Sequence, residues 1–182
     1  MGKSRYVGVI GAGSCNDAVY ELACNLSLEI GKRRWVLVCG GLGGIMEGAA
    51  KGSSEAGGMT IGILPGLNKE SANSFIQVPI PTGLGEVRNL LVVRASDVLI
   101  SIAGEYGTLS EIALALKANK PVIGLETWEG IRGVHYVSDY RVGEASQDHP
   151  KGLARLPNIY NLEMYQLPNL YTKMVPVKNS CK

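Results

Sequence analysis

The chain has 182 residues, 46% of them hydrophobic and 19% charged, with a formal net charge of +2. That length suits one domain with a sizeable core. So small a charge gives no bulk electrostatic case for nucleic acid or a membrane surface, and no apolar run approaches membrane-spanning length.

The N-terminus carries two basic residues and goes directly into a strand, so no signal peptide is expected. Cys15, Cys24, Cys39 and Cys181 show neither a CxxC pair nor metal-ligand spacing, so we expect no metal site, and free thiols in a reducing cytoplasm.

In chain order, residues 6–10 form the first strand expected, broken by Gly11-Ala12-Gly13-Ser14. Val19, Leu22, Ala23, Leu26 and Ile30 repeat at helical spacing, and Gly31 is expected to stop that helix. Residues 35–39 are the second strand, Gly40-Gly41-Leu42-Gly43-Gly44 follows, and residues 45–56 are the second helix. A third strand covers 59–64, a polar loop 67–74 and a short strand 75–78, closed by Pro79 and Pro81. A helix over 86–95 carries Val87, Leu90, Leu91 and Arg94 on one face. A strand at 98–102, a helix at 108–118 and a strand at 121–125 complete the pattern.

Continuously apolar strands alternating with helices predict a doubly wound, mostly parallel sheet in three layers, an α/β domain of Rossmann-like type. The pattern decays beyond about residue 126, and the domain is expected to occupy residues 1–140. Residues 141–182 lack the pattern and are expected to form an irregular extension, packed on the domain or on a neighbouring subunit, with a disordered end as the alternative.

The 24 glycines, about twice the usual share, bunch at strand ends in three turns. The first, Gly11-Ala12-Gly13-Ser14-Cys15-Asn16, begins like a dinucleotide fingerprint but has Asn16 where the third glycine belongs. The second, Gly40, Gly41, Gly43 and Gly44 around Leu42, leaves main-chain amides open to a phosphate just before a helix. Steric need alone also accounts for glycines in a tight strand-to-helix turn. No Gly-Lys-Ser/Thr follows, which excludes a P-loop. The third runs through Gly104, Tyr106, Gly107 and Thr108 to Glu111. The spacing of Thr108 and Glu111 fits a capping box; it equally sets a carboxylate at the mouth of a phosphate site. Arg88, followed by Asn89, offers the planar fork that suits phosphate, or is a solvated surface arginine.

The series Gly40-Gly41-Leu42-Gly43-Gly44-Ile45-Met46-Glu47, then Arg88-Asn89, then Gly104-x-Tyr106-Gly107-Thr108-x-x-Glu111 resembles the Lonely Guy superfamily over roughly residues 5–140. Those proteins are Rossmann-like, and their enzymes cleave the N-glycosidic bond of nucleoside 5′-monophosphates, using a PGGxGTxxE hallmark and an upstream arginine. Residues 63–66, 80–85 and 109–116 are similar to the branch that contains the molybdenum cofactor carrier proteins. The resemblance implies a catalytic pair, Glu111 and Arg88. It implies a phosphate or nucleotide site of Gly40, Gly41, Gly43, Gly44, Met46, Asn89, Gly104, Tyr106, Gly107 and Thr108, to which the first turn is expected to add Gly11, Gly13 and Ser14. It also implies a homodimer or larger homo-oligomer joined through helices near Arg88 and Glu111. Many relatives carry a lysine decarboxylase label, but no lysine here sits in a recognisable cofactor motif.

Two departures divide the functional expectation: Ala103 stands for the hallmark proline and Glu105 for its second glycine. One expectation is a phosphoribohydrolase that needs no cofactor, with Glu111 supporting an oxocarbenium-like transition state. The other is a carrier that holds a phosphate, a nucleotide or molybdenum cofactor without turnover. Both take a small phosphorylated ligand.

Overall fold

The computed structural model describes residues 5–127 and, as backbone, 134–137. Its strands are β1 (Tyr6–Gly11), β2 (Val36–Cys39), β3 (Met59–Leu64), β4 (Val78–Pro81), β5 (Val98–Ile102), β6 (Val122–Leu125) and β7 (Val134–Val137). Its α-helices are α1 (Asp17–Lys32), α2 (Ile45–Glu55), α3 (Asn89–Ala95) and α4 (Tyr106–Lys117). The strands form one sheet in the order β4-β3-β2-β1-β5-β6-β7. All six pairings are parallel, so the fold is the Rossmann-like α/β one expected.

Parallel strands buried on both faces read as apolar runs rather than alternations. All four residues of β2 and the last four of β5 are buried. The alternation survives in which helix each strand residue meets. A Cβ at Gly8 would meet Ser96, just past α3, whereas one at Gly11, three residues on, would meet Ile45 of α2. Ile10, Val36, Val38 and Leu99 form one core cluster with Val92 and Val93 of α3 and Ile112 and Ala115 of α4.

The helices of the other layer meet closely. Gly48 and Gly52 of α2 lie against the backbone of α1, so that a Cβ on Gly52 would run into the Cys24 carbonyl. Small residues four apart on a helix leave room for two backbones to approach.

Several boundaries differ from the sequence expectation. Asn16, in place of a third glycine, caps α1 by accepting from the Val19 amide at 3.0 Å. Gly31 does not end α1, which runs to Lys32; its Cβ position faces the Ser53 carbonyl instead. The strand expected at 75–78 lies at 78–81 and contains both prolines. Because β4 is the edge strand, their missing N–H groups leave no ladder bond unmade on a further neighbour. The helix expected over 86–95 is a 3-10 turn at Gly85–Arg88 followed by α3, and Val87, Leu90 and Leu91 are exposed while Val92 and Val93 are buried. Strand β7 was not anticipated. The extension expected at 141–182 lies outside the described residues.

Since an overpacked interior contact costs about 1–3 kcal/mol, Gly52→Ala should lower Tm by several degrees, roughly 2–4 °C per kcal/mol for a chain of this size. Thermal unfolding followed by circular dichroism measures it. An unchanged Tm would mean that α1 and α2 can part without loss.

Candidate functional site

The direction of winding reverses between β1 and β5. From β1 the chain runs outward through β2, β3 and β4, then returns to the other side of β1. At such a point the loops leaving adjacent strands diverge and open a crevice at the carboxyl ends. The three glycine turns leave β1, β2 and β5, so the sequence-predicted residues converge there, with the β1 turn in the middle.

The first two turns are in direct contact. The Ile45 amide donates to the Ala12 carbonyl at 3.1 Å. Gly44 has φ 62°, and a Cβ there would sit 2.5 Å from the Ala12 carbonyl oxygen and 2.6–2.7 Å from Gly13. Gly41 has φ 74° and lies over Gly62 and Leu64. Those two glycines are therefore required by the turn. Gly13 is different: a Cβ there would meet nothing within 4 Å, and both Gly13 and Ser14 are exposed.

Asn73 fixes the second turn from outside. Its side-chain amide donates to the carbonyls of Gly41 at 3.2 Å and Leu42 at 2.8 Å, and its backbone amide donates to Gly41 at 2.9 Å. Its Oδ1 accepts from the Phe75 amide at 3.1 Å. With those carbonyls held from one side, the conformation of residues 41–42 is set before any ligand arrives. The sequence reading passed over Asn73 as part of a polar loop.

Arg88 ends the 3-10 turn and is buried, and its guanidinium packs on Gly40, where Nη1 and Nη2 would lie 2.6–2.7 Å from a Cβ. Met46 is buried too, its sulfur on the same spot. The Arg88 Nη1 is 3.6 Å from Oε1 of Glu111, longer than a charge-assisted hydrogen bond. The Arg88 Nε is buried and has no hydrogen-bond partner. Burial pushes the Glu111 carboxyl up to about 7, with the nearby Arg88 pulling it down. Below the pair lies Cys39, fully buried, its thiol donating to the Met46 carbonyl at 3.8 Å and pushed by burial up to about 12. It is a protonated core thiol and no nucleophile near neutral pH.

The third turn begins with Ala103 at φ 46° and Gly104 at φ 119°, and a Cβ on Gly104 would strike the Thr108 side chain. Helix α4 starts at Tyr106, earlier than expected, with Glu105 as its N-cap. The capping box is therefore absent: Thr108 is the third helical residue, and Glu111 turns inward to Arg88. Tyr106 and Gly107 are exposed, and a Cβ on Gly107 would meet nothing within 4 Å. The first-turn amides of an α-helix lack intrahelical partners and attract anions. Asn89 ties this turn to α3: its side-chain amide donates to the Gly107 carbonyl at 3.4 Å and to the Ser110 hydroxyl at 3.1 Å. With those donors committed, Asn89 holds the turn from behind.

Among the described residues no group of three or more His, Cys, Asp or Glu could hold a metal ion, and no helix is long and apolar enough to cross a membrane.

The sequence model of the SLOG cluster4 family matches residues 4–151. An uncharacterized protein of Archaeoglobus fulgidus is 44% identical over 132 residues, which cover 72% of this chain and 87% of the archaeal one. The molybdenum cofactor binding protein of Rippkaea orientalis has a similar structure, with TM-score 0.67 and 41% identity over 70% of this chain and 78% of that one. The Moco carrier protein of Chlamydomonas gives TM-score 0.67 and 36% identity over 76% of this chain and 91% of that one.

The Glu111 carboxyl leaves a signature in stability. With its folded-state pKa raised, the native protein keeps a proton that the unfolded chain has already released, so this contribution falls as pH rises from about 4.5 to about 7 and is level above. The stability difference between wild type and Glu111→Gln should fall across that window, by at most about 1.4 kcal/mol per pH unit. Urea unfolding at several pH values measures it; a difference that rises with pH would mean that Arg88 outweighs burial.

Proposed function

This chain belongs to the SLOG cluster4 family, and we propose that it binds a phosphorylated ligand between its glycine turns, as a carrier of molybdenum cofactor that does not turn its cargo over. The observation that carries the reading is Arg88: a buried guanidinium with an unpartnered Nε, lying on Gly40 at the switch point. Buried charge without full hydrogen bonding is costly, and an anion docked there would supply the missing acceptors. The open backbone at Gly13 and Gly107 and the first-turn amides of α4 would take the remaining phosphate oxygens.

Two observations favour a carrier over a phosphoribohydrolase. Two of the similar solved structures, at 41% and 36% identity, are those of proteins described as binding or carrying molybdenum cofactor. The third turn also departs from the hydrolase hallmark in backbone: Ala103 has φ 46°, which a proline, locked near −65°, cannot adopt. One observation favours hydrolysis of a nucleoside monophosphate instead, the Glu111 carboxyl poised near neutrality beside an arginine, as a general acid or base would be.

Calorimetric titration with molybdenum cofactor and with AMP, together with chromatography of AMP incubated with the protein, decides between them. We expect binding of the cofactor, weakened about tenfold or more by Arg88→Lys through loss of the fork, and no adenine above a Glu111→Gln control. Adenine above that control would establish the hydrolase instead. Absence of binding by either ligand would remove the site.

The reading extends to a cytoplasmic homo-oligomer whose binding domain covers residues 1–140. Its joining surface would include Leu84, Val87, Leu90 and Leu91, which are exposed beside the site. Val87→Glu should shift the mass measured by light scattering toward the monomer; an unchanged mass would exclude this surface.

A further inference from the structure

The site already contains the counter-ion of its own arginine. Glu111 lies 3.6 Å from Arg88, and both side chains are buried. A phosphate that reaches the guanidinium meets a neutral pair, not a free cation. If Glu111 stayed ionised, the incoming dianion would face a buried carboxylate where water screens little. Nor can the carboxylate readily leave. Glu111 is 6% exposed, sits in the second turn of α4, and is followed by the fully buried Ile112. We propose, on the reading above that the site binds phosphorylated ligands, that Glu111 takes up a proton from solvent as the anion docks, so that ligand and proton bind together and Arg88 is handed from carboxylate to phosphate.

The groups around Glu111 leave it as the acceptor. From the 3-10 turn the facing group is Arg88, a permanent cation. From the end of β2 it is the Cys39 thiol, protonated throughout the neutral range. Asn89 of α3 and Thr108 and Ser110 of α4 carry no charge. Two further carboxylates border the turns, Glu47 in the first turn of α2 and Glu105 at the cap of α4. The Glu111 carboxyl itself is raised by burial and lowered by Arg88. That shift means the proton is taken up at little cost near neutral pH. No other chemistry is required: solvent supplies the proton, the carboxylate becomes a neutral carboxyl, and release reverses both.

The arrangement has a direction. Affinity for a dianion should rise as pH falls toward about 7 and level off below it, where Glu111 is already protonated in the free protein. A carrier built this way would load more tightly in a slightly acidic setting and release in an alkaline one.

Proton uptake is measured directly by calorimetry of AMP binding at about pH 8, in two buffers of different ionisation enthalpy. At that pH the AMP phosphate is already a dianion. Wild type should take up close to one proton per AMP bound, and Glu111→Gln close to none. Glu47→Gln and Glu105→Gln should keep the uptake. A second arm uses sulfate, whose charge is constant from about pH 6 to 9. Its affinity should fall up to tenfold per pH unit between about 7 and 9 in wild type and stay level in Glu111→Gln. Binding of AMP by wild type without proton uptake overturns the proposal and leaves the ligand reading intact. Uptake that persists in Glu111→Gln, or vanishes in Glu47→Gln or Glu105→Gln, moves the acceptor elsewhere and overturns it too. If AMP, inorganic phosphate and sulfate all fail to bind, the anion site falls, and both readings with it.

Discussion

Arg88 can lie flat on the end of β2 only because residue 40 has no side chain; a Cβ there would fall 2.6–2.7 Å from its terminal nitrogens. That contact sets the level of the whole site. It brings a cation from the 3-10 turn over the carboxyl end of the strand, opposite Glu111 of α4 and above the Cys39 thiol. A buried pair of well-packed apolar side chains would serve the fold as well or better. The pair here is also loose, at 3.6 Å, with Nε unsatisfied. A group that costs stability and leaves bonding capacity unused is explained by what it can bind, not by what it holds together.

The surroundings are stiff where the pair is loose. Gly44 is wedged against Ala12 and Gly13, so the first two turns brace each other. Asn73 anchors the second turn from the loop before β4, and Asn89 anchors the third from α3. Each asparagine spends its side-chain donors on two partners within a glycine turn or just past it. Preorganised backbone amides lose little freedom when a ligand binds, and that is where glycine-rich turns gain over flexible side chains. The glycines divide accordingly: Gly40, Gly41 and Gly44 are required by close contacts or positive φ, whereas Gly13 and Gly107 face open space, where a side chain would obstruct only a ligand.

Five of the seven strands and the three glycine turns were legible because they depend on local signals, apolar runs and glycine clusters. What was not legible depends on partners distant in sequence. Asn73 acts on residues 31 and 32 positions away, and its neighbours offer no motif. The prolines of β4 looked like strand stops because nothing local reveals that the strand is an edge. Thr108 and Glu111 had the spacing of a capping box, but the helix starts two residues before Thr108, and burial beside Arg88 decides where the carboxylate points. The apolar residues at 87, 90 and 91 were expected on one face of a single helix; Val87 falls in the 3-10 turn, all three are exposed, and Val92 and Val93 fill the core instead.

The two departures from the hydrolase hallmark turn out to be unequal in physical weight. Glu105 has φ −114° and ψ −165°, extended backbone that any residue adopts, and its side chain is exposed at the helix cap. It does not strain the turn. The positive φ values fall on the two residues before it, Ala103 and Gly104. At Gly104 the turn costs nothing, but a non-glycine residue at 103 gives up about 1–2 kcal/mol to sit there. A proline could not take that conformation at all. Alanine for proline is therefore the departure that requires a different backbone at the start of the turn.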